Sequence, residues 1–380
     1  MTTYLHHGHT FGDAYMRHEI QEPVMDPVTF IDHGGRRILV AGASERSIFT
    51  PREDVLDEFF DRDDLGYRGI VDSGALPAHL IDAEIVLRAL ASLGIREVHV
   101  PGSFPIAVAD HLRSGGIQVV PDPEAWDVRR RRKTPWEIEG MERAQRAAEA
   151  AMLVAARMLK ESEPVGDGRL RFEGEILTAE YLREAMCDTL VRSGADPVAV
   201  MVQSGNACLR PLERGRGPVS AGETCIIDCF PRDMGTGAFT ALTRTYVTGI
   251  PSDEVHSLHG ACLQALRIAL ESIKPGADDV YRRVAGYFHD QGFPTQLHDG
   301  AEGSIGEGFI APIGHGVGLD VRERPWMGER SDGLAFGDVV AIAPSLCFAD
   351  LGGVRLCDVV LVTEDGPQHL SDPIDYDLEP

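Results

Sequence analysis

The stretch GHGVGLDVRERP, from Gly314 to Pro325, places one histidine among closely spaced glycines and ends in a charged run before proline. Gly314, Gly316 and Gly318 carry no side chain, so the backbone around His315 can pack closely against its neighbours. His315 is therefore either a hydrogen-bonded core histidine or a group held at the wall of a pocket. Three further stretches surround it in order. They are Ile226-Ile-Asp228 followed by Thr243-Arg244-Thr245, GDVVAIAP from Gly337 to Pro344, and GGVRLCDVVLVTEDG from Gly352 to Gly366. Apolar patterning predicts strands over 198–203, 224–228, 238–248, 316–322, 338–343 and 353–362, and helices over 178–193, 253–273 and 278–291. Several short strands with a few helices describe an α+β domain whose sheet carries a site.

Upstream the pattern changes. Short apolar runs at 37–41, 68–71, 97–100 and 117–120 read as strands, with helical spacing over 83–93 and 106–112. That alternation predicts an α/β layer domain over 1–128, followed by the second domain over 129–380. The basic run RRRRK, Arg129 to Lys133, reads as a solvated linker. Thr134, Pro135 and Glu137 then form a capping-box start for an alanine-rich helix over 136–159.

The chain has 380 residues, 36 basic and 60 acidic, for a formal charge of −24. Such a surface repels a phosphate backbone, so no nucleic-acid partner is expected. No run approaches the roughly 18 apolar residues of a membrane span, and the start MTTYLHHGHT lacks the pattern of a secretory leader. All seven cysteines lie between Cys187 and Cys357, odd in number and irregularly spaced, which suits reduced thiols and a cytoplasmic setting. His6, His7 and His9 are a candidate metal cluster at a mobile terminus. There is no GxGxxG and no Walker loop, so no nucleotide is expected.

The four stretches, in their order and spacing, resemble the signature segments of the creatinase, prolidase and aminopeptidase P family of pita-bread proteins, across most of residues 130–370. The resemblance implies a pita-bread second domain behind an α/β first domain. It also implies a pair of divalent ions held by two Asp, one His and two Glu, with two further histidines serving the substrate. Of the ligand positions, Asp228 and His315 are present, while the other three fall on Ala241, Ala343 and Cys357. One auxiliary histidine falls on Arg322 and the other near Leu212. Alanine donates nothing to a metal, so the dinuclear site is not expected to form.

The resulting expectation is a metal-independent enzyme without cofactor, of creatinase type. It would act as a C–N bond hydrolase or lyase on a small amino-acid-like or carboxylated molecule, without Xaa-Pro peptidase activity. Its candidate catalytic residues are His315, Cys357 and Asp228, with Arg322 and Arg244 as candidate substrate-binding residues, Arg244 reading also as a group that holds structure. Cys357 reads as a nucleophile beside His315, as a zinc ligand with Asp228 and His315, or as a small apolar filler. Two other functions stay open, a catalytically inactive protein that binds a peptide or protein, and a mononuclear metal hydrolase. The resemblance further implies a homodimer in which the first domain closes over the partner's site, with His33 or Arg36 as possible lid contacts.

Overall fold

The computed structural model describes residues 1–49, 55–301 and 303–380. Contacts divide the chain into two units, Met1–Arg130 and Arg131–Pro380.

The first unit is built on a six-stranded sheet ordered Glu58–Asp61, Arg36–Ala41, Val28–His33, Thr3–Gly8, Glu97–Val100, Gln118–Pro121. The Thr3–Gly8 strand runs antiparallel to Val28–His33 and parallel to Glu97–Val100. Both faces are covered. Ile38 and Val40 pack with the helices Ile81–Ser92 and Ile106–Ser114, while Leu39, between them, packs with Met16, Ile20 and Trp126 on the other side. Two-residue alternation between two buried layers is the sheet period expressed as packing. The stretch 68–71 is a correction. It lies in the helix Tyr67–Ser73, where Ile70 alone is buried, so its apolar content reflects one helical contact rather than a strand.

The histidine-rich start is also not a mobile terminus. It forms the Thr3–Gly8 strand, with strands paired on both sides of it. His6 bonds Asp13 at 2.7 Å, His7 bonds Thr29 at 2.8 Å, and His9 bonds the Met25 carbonyl at 3.0 Å. His33 bonds Thr3 and Arg36 pairs with Glu58.

The basic run is not a solvated linker. It falls in the helix Pro123–Arg131 and the turn after it, and Arg129, Arg131 and Lys133 are paired with carboxylates. Arg129 meets Glu19 at 2.5 Å and Asp32 at 2.9 Å, Arg131 meets Asp338 at 2.5 Å, and Lys133 meets Glu323. The predicted capping box at Thr134 is present and opens the 26-residue helix Pro135–Lys160.

In the second unit, a three-stranded sheet, Ala195–Ser204, Cys225–Asp233 and Leu242–Tyr246, packs against Pro135–Lys160 and Ala179–Arg192. A five-stranded antiparallel sheet follows the order Glu323–Met327, Gly314–Gly316, Val339–Ile342, Asp358–Thr363, Gly366–His369. It packs with Asp253–Ser272 and Val280–Asp290. The two sheets are stitched where Thr243 and Cys357 exchange backbone hydrogen bonds of 3.2 and 3.1 Å.

The expected strand over 316–322 divides instead. Gly314–Gly316 is a short central strand, and the next begins at Glu323. A β-carbon on Gly314 would lie 2.1 Å from the Ala341 carbonyl oxygen, and one on Gly316 would lie 2.3 Å from that of Arg324. These glycines are required by close backbone approach on both sides of His315.

Candidate active site

Alternation along the Cys225–Asp233 strand sends Ile227 and Cys229 into the core and leaves Asp228 and Phe230 facing a cavity of about 620 Å³. The same cavity is lined by Thr243, Gly314, His315, Ala341, Ala343, Ser345, Arg355 and Cys357. Met201, Pro211, Leu212, Ile310, Pro312, Trp326 and Met327 make its apolar walls, and Arg322 and Arg330 complete the lining. Four of the five residues expected at a site therefore share this cavity: Asp228, His315, Arg322 and Cys357.

Arg244 does not. It is fully buried behind the wall, where its guanidinium pairs with Asp358 at 3.0 Å and donates to the carbonyls of Thr243, Cys357, Ile374 and Asp375. It also stacks on Tyr376, 4.4 Å from the ring centre, and Tyr376 in turn bonds Asp358. Arg244 thus fastens the chain's last stretch to the two strands that carry Thr243 and Asp358. Its sequence expectation as a substrate-binding residue is corrected.

Asp228 is 1 % exposed, and both its oxygens are engaged. The Thr243 hydroxyl donates to Oδ1 at 2.6 Å, and Arg355 Nη1 donates to Oδ2 at 2.9 Å. Burial works against the Arg355 charge, but the facing Asp228 carboxylate outweighs it and holds the guanidinium pKa above its usual value. Arg355 was not singled out in the sequence. The signal available was a charge two residues before Cys357 in an otherwise apolar strand stretch, where a buried cation requires a partner.

His315 is held by its own strand. Its Nδ1 donates to the Gly316 carbonyl at 3.0 Å, a tautomer assigned from that bond, which leaves the Nε2 lone pair as an acceptor. Burial lowers its pKa, and nearby Arg322 lowers it further, so the ring is neutral at physiological pH. Arg322 itself is exposed, in the bend between Gly314–Gly316 and Glu323–Met327, and so is Arg330. Arg330 was also missed, since it follows the recognised motif by five residues and carries no pattern of its own.

Cys357 is 2 % exposed, and burial pushes its thiol pKa far up. Its Sγ contacts the Asp358 carbonyl at 3.9 Å and makes no bond to His315 among the described contacts. A protonated, buried thiol without a base is inert, so of its three readings the apolar filler fits and the nucleophile does not. The ligand readings fail on geometry as well. Among the described residues no group of three or more His, Cys, Asp or Glu is placed to hold an ion. Asp228 is committed to Arg355 and Thr243, and Ala241 and Ala343 have no donor atom. The residues present fit neither the pair of ions nor the mononuclear site.

A model of metallopeptidase family M24 matches residues 139–364. The chain is 28% identical over 250 residues to the Xaa-Pro dipeptidase of Pyrococcus furiosus, covering 63% of this chain and 62% of that protein. It thus spans less than two thirds of that relative's length. Among solved structures it superposes on the prolidase from Pyrococcus furiosus, with TM-score 0.72 and 19% identity, covering 99% of this chain and 97% of that one. It also superposes on the Xaa-Pro dipeptidase from Bacillus anthracis, with TM-score 0.76 and 18% identity, covering 98% and 93%.

These matches correct the functional expectation. The relatives named are Xaa-Pro dipeptidases, which points toward peptidase activity and away from a metal-independent, creatinase-type enzyme lacking it. The α/β first unit and pita-bread second unit are the fold of these proteins, and the chain belongs to the M24 metallopeptidase family.

Proposed function

We propose that this chain is a peptidase that hydrolyses an amide bond of a short peptide bound in the cavity of its second unit. The observation that carries this reading is the cavity itself. Its volume of about 620 Å³ falls in the range of small-molecule sites, and apolar walls converge there with three guanidinium groups and a neutral imidazole. The family supplies the reaction class, and the lining supplies the recognition. Arg322 and Arg330 are forks suited to a substrate carboxylate.

His315 is the acid/base in this reading. Its Nε2 accepts a proton from water as the water oxygen bonds to the amide carbon. The same proton passes to the leaving nitrogen when the C–N bond breaks. Arg355 and Thr243 hold Asp228 as a fixed neutral pair beside this chemistry. No step is assigned to a metal, because the donor set does not fit one.

The test is release of free amino acids from a panel of dipeptides, both free and N-acetylated, with and without C-terminal proline, in the presence and absence of added divalent ions. Turnover that falls at least a hundredfold in His315→Gln supports the reading. Absence of turnover for every peptide under both conditions, or full activity in His315→Gln, overturns it.

A further inference from the structure

The charges around the cavity are opposite in sign to the chain as a whole. A chain of formal charge −24 lines this cavity with three arginines and one carboxylate. Arg355 and Asp228 cancel each other at 2.9 Å, which leaves Arg322 and Arg330. Both are exposed, and among the described residues neither is drawn into an ion pair, whereas Arg324 beside them holds Asp332 at 2.5 Å. Two uncompensated guanidiniums at the mouth of an apolar cavity focus a positive potential on whatever enters.

A free peptide amino group has no counterpart there. Asp228 is the single carboxylate among the described lining residues, it is 1 % exposed, and both its oxygens are already bonded. An ammonium group entering the cavity would meet Arg322 and Arg330 and lose its hydration without gaining a partner. The walls offer contact for an uncharged, apolar amino-terminal portion instead, with Met201, Leu212, Phe230, Ile310 and Trp326 around it.

We propose that the cavity selects a short peptide whose amino end is blocked and whose carboxyl-terminal residue is acidic, with its two carboxylates taken by Arg322 and Arg330. This deepens the peptidase reading and rests on it for the site, but it concerns binding and is tested without turnover.

The experiment is calorimetric titration of the full chain with three probes: N-acetyl-Ala-Glu, Ala-Glu and N-acetyl-Ala-Gln. The expected order has N-acetyl-Ala-Glu binding about tenfold tighter than either of the others, as one charged contact contributes on that scale. Arg322→Gln and Arg330→Gln, at exposed positions, should keep the ligand-free melting temperature and reduce the Glu-over-Gln preference to within about twofold. Equal or tighter binding of Ala-Glu, no binding of N-acetyl-Ala-Glu, or a preference that survives in both variants would overturn the proposal. Selective binding without hydrolysis would sink the peptidase reading alone, and hydrolysis of free-amine dipeptides without this selectivity would sink this inference alone.

Discussion

At the scale of single residues, the site is organised around a carboxylate that is already satisfied. Removing Arg355 strands Asp228 in the wall, so Arg355→Met is expected to destabilise the second unit by about 3–5 kcal/mol, read from urea unfolding, with Arg355→Lys less severe. Cys357 makes a different prediction. Six of the seven cysteines are buried and Cys187 is partly exposed, so a thiol reagent should label one site per native chain, Cys187, and seven after denaturation. Rapid native labelling of Cys357 would show a reactive thiol and overturn its reading as filler. That Asp228, His315, Arg322 and Cys357 would meet at one cavity was legible because each sits at a fixed offset in a recognisable stretch, though their roles were not. Arg355, Arg330 and the apolar walls were not, since partners and linings are made by chain segments distant in sequence. Arg244 falls on its structural reading for a physical reason. An arginine in a motif reads as chemistry, but five contacts to buried carbonyls and a carboxylate can absorb the whole group.

At the scale of elements, helices and isolated strands were readable from periodicity and caps, most clearly at Thr134 and over 253–273. Misreadings fell where local apolarity lacked a long enough period to choose, as at 68–71, or where glycines break a strand, as after Gly316. The breakage has a measurable side. Gly316→Ala would press a methyl into the Arg324 carbonyl and should cost about 1–3 kcal/mol, with the His315 side of the cavity most disturbed. The Thr3–Gly8 strand carries a pH-dependent contribution. Burial lowers the His7 pKa from 6.5 to about 4, so the fold favours the neutral ring. That stability is fully present above pH 6.5 and is lost as the pH falls from 6.5 toward 4, where the unfolded chain binds the extra proton. The loss is on the order of 3 kcal/mol, and His7→Gln should flatten the dependence of unfolding on pH across this window.

For the whole molecule, the acidic balance dominates. A formal charge of −24 repels itself in the compact state, and salt screens it. Raising sodium chloride from about 0.01 to 0.3 M, over which the screening length falls severalfold, should raise the melting temperature by about 2–4 °C, the equivalent of about 1 kcal/mol. A fall in melting temperature over that range would mean that native ion pairs, such as those of the 129–133 run, outweigh the repulsion. The architecture itself was legible from four motifs and one change of pattern. The charge distribution was not, because composition gives a sum and only a fold decides which residues face a cavity.

The Arg244 clasp also bears on how the protein tolerates trimming at its far end. Loss of the residues from Ile374 onward would remove two carbonyl acceptors and the Tyr376 ring at once, uncovering a guanidinium whose remaining partners lie on the strands that wall the cavity. Exopeptidase nibbling that passes Tyr376 should therefore register as a lower melting temperature and a loosened pocket, while intact mass marks the cut.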